Sequence, residues 1–432
     1  MPNKKVITTI VVVLSIVFLG ACLYFSIVYR IRGNNARVCE VTFDYNDGSG
    51  RVEIINVPKG ETIENYAPYL IDETQEIIAW SSVVDGERFV SPISEDIRLF
   101  AIWSDFSSEI VTYTSYVPDI LTDRFIIIQP QDDNVLYGKI ISVANSVKFI
   151  KFCSENIRHD DFSLIINSRV DGINVTFDNF NFSSYYFCAF DASNVQGCVN
   201  LNLIGENSIR CSEVNENWNK GADCIRAKEL KICGEGWLSL YAGKGIDGED
   251  RSTAGDGKNG ERGGNGQDGG CGIITDKLTI DGSSLEIVAG NGGNGGKGGN
   301  GNNTNGLTTS GKHRTGGNGG SGGNGGHAID TLEFFATNAN LGLMAGNGGN
   351  GGNGGKGGGD SQTFGGRGGV GGNGGRGGNV FSNVVKSSNI LNGIRYFMFG
   401  TGGEAGKGGS SANSSLHGVA GVTGLPGKVN CE

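Results

Sequence analysis

Proline is scarce in this chain, with 7 residues in 432, while glycine reaches 76. Collagen is excluded, since it needs abundant proline beside glycine at one position in three. Positive charge is in deficit, with 35 Lys and Arg against 45 Asp and Glu and a net charge of −10. That balance argues against a nucleic-acid partner, because a phosphate backbone wants a basic face. The ten cysteines contain no CxxC, which argues against a zinc ribbon. Cys39, Cys153, Cys188, Cys198, Cys211, Cys224, Cys233, Cys271 and Cys431 read as mostly small buried residues, with one or two disulfides left open. The four histidines, His159, His313, His327 and His417, are too far apart in sequence to suggest a metal site or a triad. GNGGNG fits GxGxxG by composition alone, with no strand–helix unit around it, so nucleotide binding is not expected. No cofactor and no metal are expected.

One long apolar run is present. Lys4 and Lys5 precede residues 6–29, which carry no charge, and Arg30 and Arg32 follow. As a helix this run is long enough to cross a bilayer core of about 30 Å. The leading expectation is an uncleaved single-pass anchor, with residues 1–5 cytoplasmic, 30–37 a spacer and the C-terminal part outside the cell. Two alternatives stay open. A cleaved signal has a shorter apolar stretch of about 7–15 residues. A lipoprotein signal is similar to Leu19-Gly20-Ala21-Cys22, which would lipidate Cys22, although the run continues apolar past it.

Residues 38–104 read as a small β module. Cys39–Tyr45 alternates as a half-buried strand does, NDGSG turns the chain, and Val52–Val57 and Ile97–Trp103 are further strands. Trp80, Phe89, Phe100 and Trp103 are the expected core. VTFDYNDG, KGETI, a tryptophan followed by DGERF, and DIRLFAIW resemble, in order, the Listeria–Bacteroides repeat, or internalin B-repeat. Ala79 departs from the glycine usual before that tryptophan. The resemblance implies a β-grasp-like stalk module of bacterial surface proteins, without catalysis.

From about residue 110 short strand-like runs recur at 125–129, 139–143, 147–152, 163–167, 173–180 and 199–204. No convincing amphipathic helix lies between them, a texture that suggests a solenoid. The later units align: Leu238/Leu240, Leu285/Ile287 and Leu341/Leu343 alternate with outward residues, followed by Ala242, Ala289, Ala345 and, in the last unit, Phe399. Period two means strands. The expected fold of 110–432 is a right-handed parallel β-helix. INVTFDNFNFSS, VNLNLIGENSI and the coils from Gly221 and Gly270 resemble a bacterial β-helix family described as carbohydrate-binding-domain-containing. A carbohydrate ligand is what that resemblance implies.

Glycine-rich inserts occupy 243–270, 290–326, 346–379 and 400–428. Asn291, Asn294, Lys297 and Asn300 leave, and Asn318, Ser321, Asn324 and His327 return, always three residues apart. A flexible linker has no reason to keep phase. A polyproline II-like helix has three residues per turn and rises about 3.1 Å per residue, with no internal hydrogen bonds. Adjacent glycine arms of this type could bond laterally as a polyglycine II bundle, and the asparagines would then form outward rows about 9 Å apart. The inserts resemble the glycine-rich bundles of phage tail-tip adhesins and antifreeze proteins. The first insert is degenerate and the last is expected to lose phase, as caps do.

The fold class expected is therefore mainly β: a transmembrane helix, a β-grasp-like module, and a parallel β-helix with glycine-rich insertions. The function expected is a non-enzymatic, membrane-anchored bacterial adhesin that binds glycan or a host or neighbouring surface protein. Asn291, Asn294, Asn318, Asn324, Asn347, Asn350 and Asn373 are the candidate contacts. A purely structural surface-layer role is the alternative. A polysaccharide-cleaving enzyme is less favoured, because its candidate carboxylates, Asp132/Asp133 and Asp160/Asp161, sit in turns. Calcium would centre on Asp247, Asp250, Asp256 and Asp268, which read more simply as solvated.

Overall fold

The computed structural model describes residues 38–432 apart from 64–65, 69–74, 85, 106, 133–134, 155–156, 167–171, 213–219, 256, 303–313, 360–365, 387–388 and 412–415. The apolar run 6–29, Cys22, Asp133, Asp256 and His313 lie outside the described residues. Among the described residues no helix is long and apolar enough to cross a membrane. The chain divides into two compact units between Ser108 and Glu109.

The first unit is a four-stranded mixed sheet. Val38–Asp44 pairs antiparallel with Val52–Pro58 and parallel with Ile97–Asp105, which pairs antiparallel with Gln75–Ser81. Alternation puts Val41, Phe43, Leu99 and Ala101 on the inner face with Val57 and Trp80. Trp80 packs edge-on against Phe43, with ring centroids 4.7 Å apart. Phe89 and Trp103 flank this core, and the Trp103 indole N–H donates to the Tyr45 carbonyl at 2.7 Å. Phe100 does not join it. Successive strand residues face opposite ways, so with Leu99 and Ala101 inside, Phe100 is on the other face beside Arg98.

The second unit is a solenoid of parallel strands in three columns, consistent with a β-helix-like fold. One column runs through Ile110–Tyr113, Phe125–Ile128, Phe149–Cys153, Gly172–Asp178, Cys198–Ile204 and Glu229–Cys233. A second runs through Arg158–His159, Asn181–Ser184, Glu206–Cys211, Trp237–Tyr241, Ser284–Val288, Asn340–Met344 and Arg395–Met398. The third holds Ile120–Leu121, Ile140–Val143, Ser163–Ile165, Cys188–Ala192 and Asp223–Ala227. Ile273–Asp281 joins the third column to the first, pairing with Asp223–Ala227 at one end and Glu229–Cys233 at the other.

Stacking coils in register builds ladders. Ile126, Ile150, Val175, Leu201, Ile232, Ile280, Ala336 and Ile390 succeed one another along the first column and are all buried. Ile209, Leu240, Ile287 and Leu343 do so along the second, which ends on the partly buried Phe397. Each coil covers the apolar face of the next, the nearest-neighbour logic of a repeat protein. Phe152, Phe162, Phe177, Phe180, Phe182 and Phe190 fill the early coils, and Phe152 stacks on Phe180 at 4.9 Å.

No disulfide joins the nine described cysteines to one another. Burial pushes Cys198 up to about 11 and Cys271 up to about 12, and raises Cys188 and Cys224 well above the ordinary thiol value. They act as small core residues, not as nucleophiles.

Candidate functional site

Each glycine-rich insert leaves the second column just after its strand and returns before the third. Outgoing arms span 243–255, 290–302, 346–359 and 400–411, and return arms span 258–270, 314–326, 366–379 and 416–428. The arms are ordered by hydrogen bonds to one another. Each triplet consists of an outward residue, a first glycine and a second glycine. The first glycine donates to the outward residue's carbonyl one layer on: Gly292 to Asn347 and Gly295 to Asn350 on the outgoing side, Gly319 to Val370 and Gly322 to Asn373 on the return side, all within 2.7–2.8 Å. The second glycine donates across to the preceding antiparallel arm: Gly293 to Gln267, Gly320 to Gly296, Gly352 to Gly320 and Gly372 to Gly352.

The third donor, the outward residue's own N–H, bonds to a side chain where the layer before carries an acceptor such as Asn or Asp. Asn347 N donates to Asn291 Oδ1 at 2.7 Å, and Asn350 N to Asn294 Oδ1 at 2.9 Å. Val370 N reaches Asn318 Oδ1, Arg376 N reaches Asn324 Oδ1, and Val422 N reaches Asn373 Oδ1. Thr401 N and Glu404 N reach Asn347 Oδ1 and Asn350 Oδ1, both at 2.8 Å. All seven candidate contact residues are thus structural. Their amide oxygens hold the arm one layer on, which leaves each oxygen at most one further lone pair for a ligand beside its NH2 group. They form no single cluster, being divided between the outgoing arms (Asn291, Asn294, Asn347, Asn350) and the return arms (Asn318, Asn324, Asn373).

Three of the acids on which calcium would centre, and which read more simply as solvated, do the same work. Asp247 Oδ1 accepts from Asn294 N, Asp250 Oδ1 from Lys297 N, and Asp268 Oδ1 from Asn324 N. Burial pushes the Asp247 carboxyl up, but the Asn294 N–H and Lys244 outweigh it and hold it below the ordinary value. No group of three or more metal-ligating side chains forms among the described residues. Asp160 pairs with Arg158 and accepts from the Ser183 hydroxyl. Asp161 sits at φ 57° in the turn, and Asp132 is exposed. His159 is fully buried against Phe180, His327 belongs to a return arm, and His417 is exposed.

Phase also explains where glycine stops. A Cβ on a second glycine would collide with the arm two positions earlier, as Gly349 would with Gly293 O and Gly320 with Gly264 O. The first two arms have no such predecessor, and Ile246, Glu249, Ser252, Glu261 and Gln267 replace glycine there. A Cβ on a first glycine would meet the arm that follows, as Gly371 would meet Gly406 O. No further arm among the described residues follows 416–428, and His417, Ala420, Thr423 and Pro426 stand at those positions. The outward residues Leu416, Val419, Val422 and Leu425 there still accept from Gly368, Gly371, Gly374 and Gly377, so the last insert keeps phase, contrary to expectation. Ala405, at a first-glycine position in 400–411, is an exception that nothing in the structure explains.

One concavity lies on the outer face of the second column. A groove of about 440 Å³ is lined by Asn181, Glu206, Ser208, Arg210, Trp237 and Tyr241, among others. Register places it: Glu206 lies opposite Trp237, and Arg210 opposite Tyr241. Arg210 stacks on the Tyr241 ring at 3.9 Å, and the Trp237 indole N–H donates to Ser239 Oγ at 2.9 Å. Trp237 is nonetheless 43% exposed. Sequence reasoning passed over this site. Its signal was a large aromatic at an outward strand position, in WLSLY, where Leu238 and Leu240 already account for the core.

No protein-family model, curated protein or solved structure matches this chain.

Proposed function

We propose that the chain is a non-enzymatic cell-surface protein that binds glycan, held at the membrane by residues 6–29 with its C-terminal part outside. The observation that carries this reading is the exposed Trp237 ring in a groove that also offers Tyr241, Glu206, Asn181 and Arg210. A sugar presents an apolar C–H face and a polar rim, and an aromatic platform bordered by a few polar groups suits it. In this reading the first unit is a β-grasp-like stalk module of the Listeria–Bacteroides repeat type, which its mixed sheet order supports. The solenoid is taken as right-handed on the general rule for parallel crossovers.

The alternative is a purely structural surface-layer protein. It is favoured by the asparagine oxygens, which are engaged within the array. Affinity electrophoresis of the full chain through a panel of neutral polysaccharides, with reducing ends assayed in parallel, separates the readings. Retardation without sugar release, lost in Trp237→Ala and kept in Asn350→Ser, is the expected result. Sugar release would make the protein an enzyme. No retardation on any polysaccharide would favour the structural role.

A further inference from the structure

The return arms carry a second site of different chemistry. Across 314–326, 366–379 and 416–428 there is no acidic residue, in a chain with a net charge of −10. Where these arms rejoin the coil, a groove of about 550 Å³ is lined by Asn324, His327, Arg376, Asn379, Leu425 and Lys428, with Pro426 and Asn430 beside them. The array already uses most of the acceptors here. Asn324 Oδ1 accepts from Arg376 N at 3.0 Å and Asn379 Oδ1 from Lys428 N at 2.9 Å. His327 Nδ1 accepts from Asn379 N at 3.0 Å, which puts the neutral ring's proton on Nε2. The Leu425 carbonyl accepts from Gly377 N and the Lys428 carbonyl from Val380 N.

The Asn324 and Asn379 amide oxygens each keep one lone pair, but donors outnumber acceptors among the lining side chains: two asparagine NH2 groups, the His327 Nε2–H, the Arg376 guanidinium and the Lys428 ammonium. The amide of Asn430 adds a further acceptor: its Nδ2 donates to Phe381 O at 2.8 Å and its oxygen faces no such demand. No carboxylate lines the groove. Leu425, 63% exposed, and Pro426 add an apolar wall.

We propose that this groove binds the carboxylate of an acidic sugar within a polysaccharide. The guanidinium and ammonium take the carboxylate, in charge-assisted bonds stronger than neutral ones. The Asn430 oxygen accepts from a neighbouring hydroxyl, and the ring's C–H face lies on Leu425 and Pro426. A neutral isostere lacks the charge that the guanidinium and ammonium answer, so it should bind more weakly. The site is independent of the Trp237 groove and does not need the reading given to it.

The test is affinity electrophoresis of the full chain in polygalacturonate, in its methyl ester, and in dextran. Retardation in polygalacturonate alone is expected. The double variant Arg376→Gln/Lys428→Gln keeps the backbone bonds and should raise the dissociation constant at least tenfold. Lys297→Gln/Lys407→Gln removes the same charge from the outgoing arms and should leave it within twofold, as should Trp237→Ala. Equal retardation in the methyl ester would overturn the proposal. So would equal loss in both double variants, which would indicate only non-specific charge attraction, and so would loss in Trp237→Ala alone, which would place the binding in the other groove.

Discussion

Asparagine at every third position of the arms is there for its oxygen. Wherever Asn291, Asn294, Asn318, Asn324, Asn347, Asn350 or Asn373 stands, its Oδ1 takes the N–H of the outward residue one layer on. The glycines cannot do this, and lysine and arginine have no acceptor. Asn350→Ala is therefore expected to cost about 0.5–1.5 kcal/mol, the usual net worth of a hydrogen bond, where an ordinary surface change costs within about 0.5. Urea denaturation measures it, and faster exchange of the Glu404 amide locates it. A cost near zero with unchanged Glu404 exchange would remove the role. Asp247 is the acidic version of the same device. Its carboxyl is held below the ordinary 3.8 in the folded state, so its contribution is complete above that value and is lost as pH falls through the depressed one. Asp247→Asn keeps the acceptor and should flatten that part of the acid-stability profile, compared by thermal melts between pH 5 and pH 2.

Among the elements, the arms live or fail by close approach. Ordering a residue costs about 1–2 kcal/mol, most for glycine, and a hydrogen bond returns about 1. A lone arm of twelve residues therefore stays disordered, and each inner arm depends on neighbours on both sides. Gly320→Ala would drive a Cβ into Gly264 O, a backbone atom that cannot move without the whole layer. It should destabilise the array by more than about 3 kcal/mol, beyond ordinary overpacking. Thr423→Ala, on 416–428, which no described arm follows, should change stability by under about 0.5. Circular dichroism melts of both variants give the comparison, and similar losses would contradict the layer order. The period of three was legible in the sequence, as were the strands at Phe125–Ile128, Phe149–Cys153 and Cys198–Ile204, because each has several apolar residues. Asn181–Ser184 and Glu206–Cys211 were not, since one buried apolar side chain apiece, Phe182 and Ile209, gives no periodicity to read. Neither was the role of the amide oxygens, because a side-chain acceptor for another layer's backbone leaves no trace in one arm's own sequence. Nor was Phe100's outward facing, which depends on the register of its strand.

For the whole molecule, the solenoid and the arms are one repeat with two kinds of cohesion. Coils bind through apolar ladders such as Val175, Leu201, Ile232 and Ile280. Arms bind through backbone polar groups and the side-chain oxygens of the outward rows, with almost no apolar side chains between them. The two meet at Asp223, fully buried, which takes Lys220, Arg226 and the Cys271 N–H where the first insert leaves and returns. Removing one member of a buried charge cluster strands the others, at about 3–5 kcal/mol. Asp223→Ala should therefore lower the melting temperature of the whole unit, whereas Glu235→Ala, in an exposed turn, should not move it. Equal effects in differential scanning calorimetry would contradict this account of the junction.

The central claim is that the glycine arms are an ordered, hydrogen-bonded array and not loops. Amide hydrogen exchange across 290–302 and 346–359 tests it most directly. Bonded amides exchange only through opening of the structure, so the account requires protection in these arms comparable to that of Ser284–Val288 and Asn340–Met344. Exchange of the arm amides at the rate of an unstructured glycine peptide, while those strands stay protected, would contradict it.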